Sequence, residues 1–182
     1  MPSLKDIKRK VGAVQKTKQI TRAMNMVAAS KFKSAQMKMD NFRPYAGKFM
    51  DVLNSLALRV ESMSHPLLAV RDPRRIRVIC MTSDRGLCGG FNTNLIKATE
   101  RFMKEKTADG KEVALVTVGR KGRDYFRKKA NIIAQKADVF GKFDMTLAVS
   151  IADEVIPAFI KEEYDELYLI YNQFVNVSVQ KP

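Results

Sequence analysis

The sequence predicts an α/β chain in which a long N-terminal coiled-coil helix precedes a largely parallel sheet flanked by helices. Three observations carry this. Apolar residues recur alternately three and four positions apart over residues 1–60, the period of a helix seam. From about residue 75, short apolar runs rich in Val and Ile alternate with helix-period segments, the pattern of strands joined by helical crossovers. Hydrophobic residues make up 46% of the 182-residue chain, enough for one folded core with length left for an extension.

The helix is expected over residues 1–60. One seam row runs Leu4, Val11, Lys18, Asn25, Phe32, Met39, Ala46, Leu53, Val60, and its companion Ile7, Val14, Thr21, Ala28, Ala35, Phe42, Phe49, Leu56. A seven-residue repeat held this long predicts a left-handed coiled coil. Ser3 is the expected N-cap, with Asp6 as its capping-box partner. Between Lys18 and Asn25 the seam turns polar, while Ile20, Met24, Met26 and Val27 put apolar groups on other faces. A helix apolar on several sides is ringed by partners or buried. Pro44 removes one hydrogen bond, so a kink near residue 40 is expected. The seam needs a partner helix, and residues 61–182 hold no second heptad segment of matching length. It must come from another copy, another protein or a further part of this one.

Residues 61–75, including HPLLAVRDPRR, read as a connector, and residues 76–182 as an α/β domain with a Rossmann-like sheet. Its elements are a strand at 76–82, a helix at 93–106 capped by Asn92 or Thr93, and a strand at 113–118. A basic helix at 121–129 follows, then a weaker strand at 132–137 and a helix at 146–162. A last strand starts near Glu166, with Leu167, Leu169, Tyr171, Val175, Val177 and Val179 on one face up to Lys181–Pro182. So long an apolar edge is an aggregation hazard unless another strand covers it.

The formal charge of +14 predicts an acidic partner: nucleic acid, anionic lipid or an acidic protein surface. Cationic residues crowd the first helix, from Lys5, Lys8, Arg9 and Lys10 to Lys31, Lys33, Lys38 and Arg43, and again cluster at Arg120–Lys129. A basic nucleic-acid-associated protein with a coiled-coil helix is the alternative reading, but Phe32 and Phe42 occupy the seam instead of a stacking face. Cys80 and Cys88 are too few for a disulfide framework and read as reduced thiols. One histidine, His65, leaves little material for a metal site or catalytic triad. No signal-peptide core opens the chain, and no apolar run approaches the roughly 20 residues of a membrane span. Asp153 and Glu154 read as a solvated helix face, and Glu162, Glu163, Asp165 and Glu166 as a short acidic patch. No catalytic constellation, cofactor site or metal site is expected.

The stretch SDRGLCGGFNTN, residues 83–94, follows a strand and opens a helix, where many α/β proteins hold phosphate. Its glycines, Gly86, Gly89 and Gly90, fit neither dinucleotide nor P-loop spacing, and no Lys–Ser/Thr pair follows. A structural or protein-contacting loop is the reading its chemistry favours. Cys88 lacks a nearby base in sequence, so a small residue in a tight turn is favoured over a nucleophile.

Three strings taken together, SLKDIKRKVGAVQKTKQITRAMNMVAASKFKSAQ, RPYA at 43–46 and SDRGLCGGFN, resemble the γ subunit of F-type ATP synthase. The resemblance implies a non-catalytic rotor shaft inside a ring of α and β subunits. The N-terminal helix would pair antiparallel with a long C-terminal helix, and the α/β domain would bind the ε subunit and the membrane c-ring. It implies ring contacts at Lys8, Arg9, Ile20, Met24, Val27 and Lys31, and at Asp84, Arg85, Gly86, Leu87, Cys88, Gly89 and Gly90. It also implies the cytoplasmic face of a bacterial inner membrane, with no cofactor, no specific nucleic acid and no membrane span. The family continues with a further strand and the C-terminal shaft helix, which this sequence does not contain.

Overall fold

The computed structural model describes residues 3–59, 65–141 and 145–182. Val60 of the seam and the first four connector residues lie outside them. The chain divides into two compact units, Met1–Glu61 and Ser62–Pro182.

The first unit is a single helix, α1, Leu4–Arg59. Its N-terminus is closed by the expected capping box: the Asp6 amide donates to Ser3 Oγ at 3.3 Å, and the Ser3 amide donates back to Asp6 Oδ2 at 3.1 Å. Few glycines and many straight-chain residues favour the helix along its length. It runs through Pro44 as one element, with the rings of Phe42, Tyr45 and Phe49 side by side at 5.6 and 6.2 Å. None of its described residues is buried. The apolar seam therefore stands open from Leu4 to Leu56.

The second unit is built on four parallel strands: β1 (Arg75–Met81), β2 (Glu112–Val118), β3 (Ile132–Lys136) and β4 (Glu166–Ile170), in the order β3-β2-β1-β4. The centres of strands β1 and β2 are buried on both faces and read as apolar runs rich in Val and Ile, as parallel strands do. On one face, Ile76, Val78, Cys80 and Leu115 pack against Leu95 and Ile96 of α2 (Phe91–Ala108) and Phe126 of α3 (Arg120–Phe126). On the other, Ile79, Val116 and Val118 meet Val155 and Ala158 of α4 (Met145–Ile160). Burying core side chains such as these stabilises the unit by about 1.5–3 kcal/mol each. The opposite end of the sheet is tied by Asp165, whose carboxylate accepts from the Arg75 amide at 2.7 Å and the Arg74 amide at 3.0 Å.

Four expectations need correction. Helix α2 starts at Phe91 behind Gly90, so neither Asn92 nor Thr93 caps it; the Asn92 side chain is drawn into the preceding loop instead. The basic helix ends at Phe126, not Lys129, because Phe126 drops into the core and the chain turns on its carbonyl. The last strand stops at Ile170, and a short antiparallel pair follows, β5 (Gln173–Phe174) with β6 (Gln180–Lys181). Along β4 itself Leu167 and Leu169 share one face, as expected. Tyr168 and Ile170 pack on the core, whereas Leu167, Leu169 and Tyr171 are exposed. Within the acidic patch, Glu163 pairs with Arg77 at 2.8 Å and Glu162 with Arg71 at 3.7 Å. Of the pair read as a solvated helix face, Glu154 is instead paired with Lys136 at 3.3 Å.

Candidate functional site

From β1 the chain steps outward to β2 and β3, then returns to place β4 on the other side of β1. This makes the β1/β4 boundary the topological switch point, where the loops after adjacent strands diverge and ligand sites form in open α/β sheets. The SDRGLCGG loop leaves β1 there. Asn172, just past β4, reaches the start of α2 by donating from Nδ2 to the Phe91 carbonyl at 3.1 Å.

The loop is held from inside by Asn92. Its Oδ1 accepts from the Ser83 amide at 2.9 Å, and its Nδ2 lies 2.8 Å from Ser83 Oγ, 3.1 Å from Cys88 Sγ and 3.2 Å from the Arg85 carbonyl. Ser83 Oγ donates to the Arg85 carbonyl at 2.6 Å. From outside it is held by Asp84. Its Oδ1 accepts from the amides of Arg120 and Asp138, each at 2.9 Å, while Oδ2 lies 3.5 Å from the Phe140 amide. Partial burial acts to raise the Asp84 pKa, but the amides of Asp138, Arg120 and Phe140 and the Arg120 charge outweigh it, leaving the carboxyl below its usual range. Arg120 in turn pairs with Asp138. One carboxylate thus joins the turns after β1, β2 and β3.

Close backbone approach completes the joint. Gly119 has φ +95°, and a Cβ there would sit 2.0 Å from the Thr82 carbonyl oxygen. The Gly122 amide donates to Thr82 Oγ1 at 2.8 Å. Sequence reasoning missed Asn92, Gly119 and Gly122 as loop determinants. A glycine ending β2 and another three residues later, facing the loop glycines, were the available signal.

Of the residues singled out in the loop, Asp84 is an anchor and Arg85, Gly86, Leu87, Cys88, Gly89 and Gly90 form the exposed outer surface. Gly89 has φ +56°, a conformation glycine adopts freely, and Leu87 shares it at φ +60°. Leu87 is 98% exposed. Cys88 is an exposed free thiol, whereas Cys80 is buried; burial pushes its thiol pKa up, against the hydrogen bond from Thr99. Among the described residues, no group of three or more His, Cys, Asp or Glu is placed to hold a metal ion, and no helix is long and apolar enough to cross a membrane. The loop's surface offers shape and charge, without a base beside a nucleophile.

On α1, Ile20, Met24, Val27 and Lys31 fall on one face at about 100° per residue, and Arg9 shares it; Lys8 lies about 100° round the helix. Ile20, Met24 and Val27 are each more than half exposed.

The ATP synthase family model matches residues 3–182. The ATP synthase gamma chain of Syntrophus aciditrophicus is 66% identical over 182 residues, covering all of this chain and 62% of its own length. That of Pelotomaculum thermopropionicum is 45% identical over 183 residues, covering all of this chain and 63% of its own. The chain therefore spans under two thirds of the length of these curated relatives. Among solved structures, the central stalk and c-ring of the Tetrahymena thermophila mitochondrial ATP synthase matches with TM-score 0.70 and 26% identity, over 89% of this chain and 69% of that one. The rotor of the Euglena gracilis mitochondrial enzyme matches with TM-score 0.54 over 96% of this chain and 58% of that one, at 16% identity, a likeness of fold alone. A family model spanning nearly the whole sequence, with gamma chains aligned along all of it, shows that this chain belongs to the ATP synthase gamma chain family.

Proposed function

We propose that the chain serves as the rotor of an F-type ATP synthase: a central-stalk subunit that couples ion-driven rotation to ATP synthesis and hydrolysis in a surrounding ring of α and β subunits. It carries no catalysis itself. The single observation that supports this most strongly is the gamma chain match over residues 3–182, joined by the likeness to a solved central stalk. The open seam of α1 agrees with it, since a helix with exposed apolar residues on several faces needs several partners. The ε subunit and the membrane c-ring complete the proposed partners, and the cytoplasmic face of a bacterial inner membrane is the proposed location.

In this reading the ring is contacted through Lys8, Arg9, Ile20, Met24, Val27 and Lys31 on α1 and through Asp84–Gly90 on the β1–α2 loop. Cations beside apolar side chains suit acidic segments that move against the shaft. The test is Met24→Lys in the complete enzyme. A charge placed where an apolar contact forms must be desolvated without a partner. ATP-driven proton pumping should fall several-fold relative to hydrolysis. Pumping unchanged from wild type would refute the Met24 contact.

A further inference from the structure

We propose that Arg71 is a positioning residue of the rotor: it clamps the segment between α1 and β1 to the end of α4, so that turning of one unit is passed along the chain to the other. The proposal rests on the rotor reading and adds the residue that stiffens the covalent route from shaft to sheet.

The segment before β1 needs such a device. Residues 69–74 form neither helix nor strand, so no backbone ladder fixes them, and an irregular tether takes up slack before it transmits force. Ahead of them His65 caps the single turn Pro66–Leu68, its Nδ1 accepting from the Leu67 amide at 3.2 Å, and this turn lies against α4. Behind them Asp165 holds the amides of Arg74 and Arg75. Arg71 supplies the fastening in between.

Its geometry is that of a rivet. Glu162, at φ +58°, ends α4, and the amides of Glu162 and Glu163 turn back to the carbonyls of Phe159 and Ala158 at 3.0 and 2.9 Å, a common helix close. Arg71 Nη1 donates to the Phe159 carbonyl at 2.9 Å and lies 3.3 Å from the Tyr164 carbonyl. It thereby bridges the last turn of α4 and the residues that lead into β4. The guanidinium sits 4.4 Å over the Phe159 ring, and Nη2 is 3.7 Å from Glu162. Arg77 of β1 repeats the arrangement on the neighbouring ring, 4.5 Å over Tyr164 and 2.8 Å from Glu163. The two rings are 5.5 Å apart. The Arg71 side chain is 17% exposed, so these contacts are largely shielded from water. Capping α4 would need no more than a cation near its last carbonyls. Arg71 instead engages two carbonyls, a ring and a carboxylate at once, which a planar fork achieves and an ammonium does not. Such fixing is of use where the segment carrying the arginine must not slide against the helix.

The test uses the complete gamma chain in a ring of α and β subunits, with the ring fixed to a surface and a bead attached through the α/β domain. In a complex paused between ATP-driven steps, the angular spread of the bead reports how stiffly the domain follows the shaft. In Arg71→Ala the free stretch before β1 grows from residues 72–74 to residues 69–74, and because mean-square excursion scales with length the angular variance should rise about 2-fold. Arg71→Lys keeps a cation at the end of α4, and with it the fold, but loses the fork, so its variance should also exceed wild type. Leu115→Ala destabilises the same unit from the opposite face of the sheet and should keep the wild-type spread. Arg71 variants no wider than Leu115→Ala overturn the clamp. A Leu115→Ala complex as loose as Arg71→Ala also overturns it, because Arg71 would then act through stability alone. A wild-type complex that never turns under ATP overturns the rotor reading itself.

Discussion

Asp84→Ala isolates the joint that holds the candidate contact surface in place. In the native chain one carboxylate oxygen accepts from two backbone amides at 2.9 Å, from Arg120 and Asp138, and the other approaches a third at 3.5 Å. Hydrogen bonds to a charged group contribute about 1.5–3 kcal/mol each; partial exposure of this site places these at or below the lower end. The third is too long to add much. Alanine should therefore cost about 2–3 kcal/mol, roughly 6–12 °C in the unfolding midpoint of a unit this size. Urea unfolding of the chain, followed by tyrosine fluorescence, measures it. The pH dependence supplies an independent check. The folded pKa of Asp84 lies below its usual value, so its stabilisation is fully present above the unfolded carboxylate pKa near about 3.9 and is lost as pH falls through the lower folded value. The stability difference between wild type and Asp84→Ala should shrink below about pH 4. A variant within about 0.5 kcal/mol of wild type at neutral pH, or a difference that grows in acid, would refute the reasoning.

Other consequences are equally direct. Gly119→Ala puts a methyl 2.0 Å from the Thr82 carbonyl oxygen at φ +95°, and should destabilise the chain by about 3 kcal/mol or more; a cost below about 1 kcal/mol in the same unfolding assay contradicts the close approach. Phe126→Ala empties one of the largest fully buried side chains and should cost about 3–5 kcal/mol, with a near-neutral result arguing against the α3 packing. Thiol titration of the native chain should find Cys88 reactive and Cys80 silent until denaturant is added; fast modification of both would place Cys80 outside the core. Ser3→Ala should lower α1 helicity at its N-terminus through loss of about 1 kcal/mol of capping, visible as faster amide exchange near Asp6 and absent if the capping box does not form.

Much of the architecture was legible because period and composition agree with tertiary structure. The seam of α1 and its Ser3–Asp6 cap follow from local spacing, and β1 and β2 follow from short apolar runs rich in Val and Ile. The errors arose where distant partners decide. Val175, Val177 and Val179 continue the alternation of β4, but Asn172 bonds to the Phe91 carbonyl and Asn176 turns the chain, so the strand ends at Ile170. Alternation also cannot say which face is covered, and along β4 the more apolar row is the exposed one. Asn92 looks like an N-cap by type and position, yet its amide is satisfied better by Ser83 and Cys88 across the loop. The loop itself was visible from its glycines. Its support was not, since Asp84 meets Arg120 and Asp138 only after three strands are brought side by side.

The rotor reading is tested most directly by co-expressing the complete gamma chain with its α and β subunits and following single-complex rotation of the shaft during ATP hydrolysis. The account predicts a stable assembly in which the chain turns unidirectionally as ATP is consumed. An α/β ring that purifies without the chain, or a bound chain that stays fixed while ATP is hydrolysed, would contradict it.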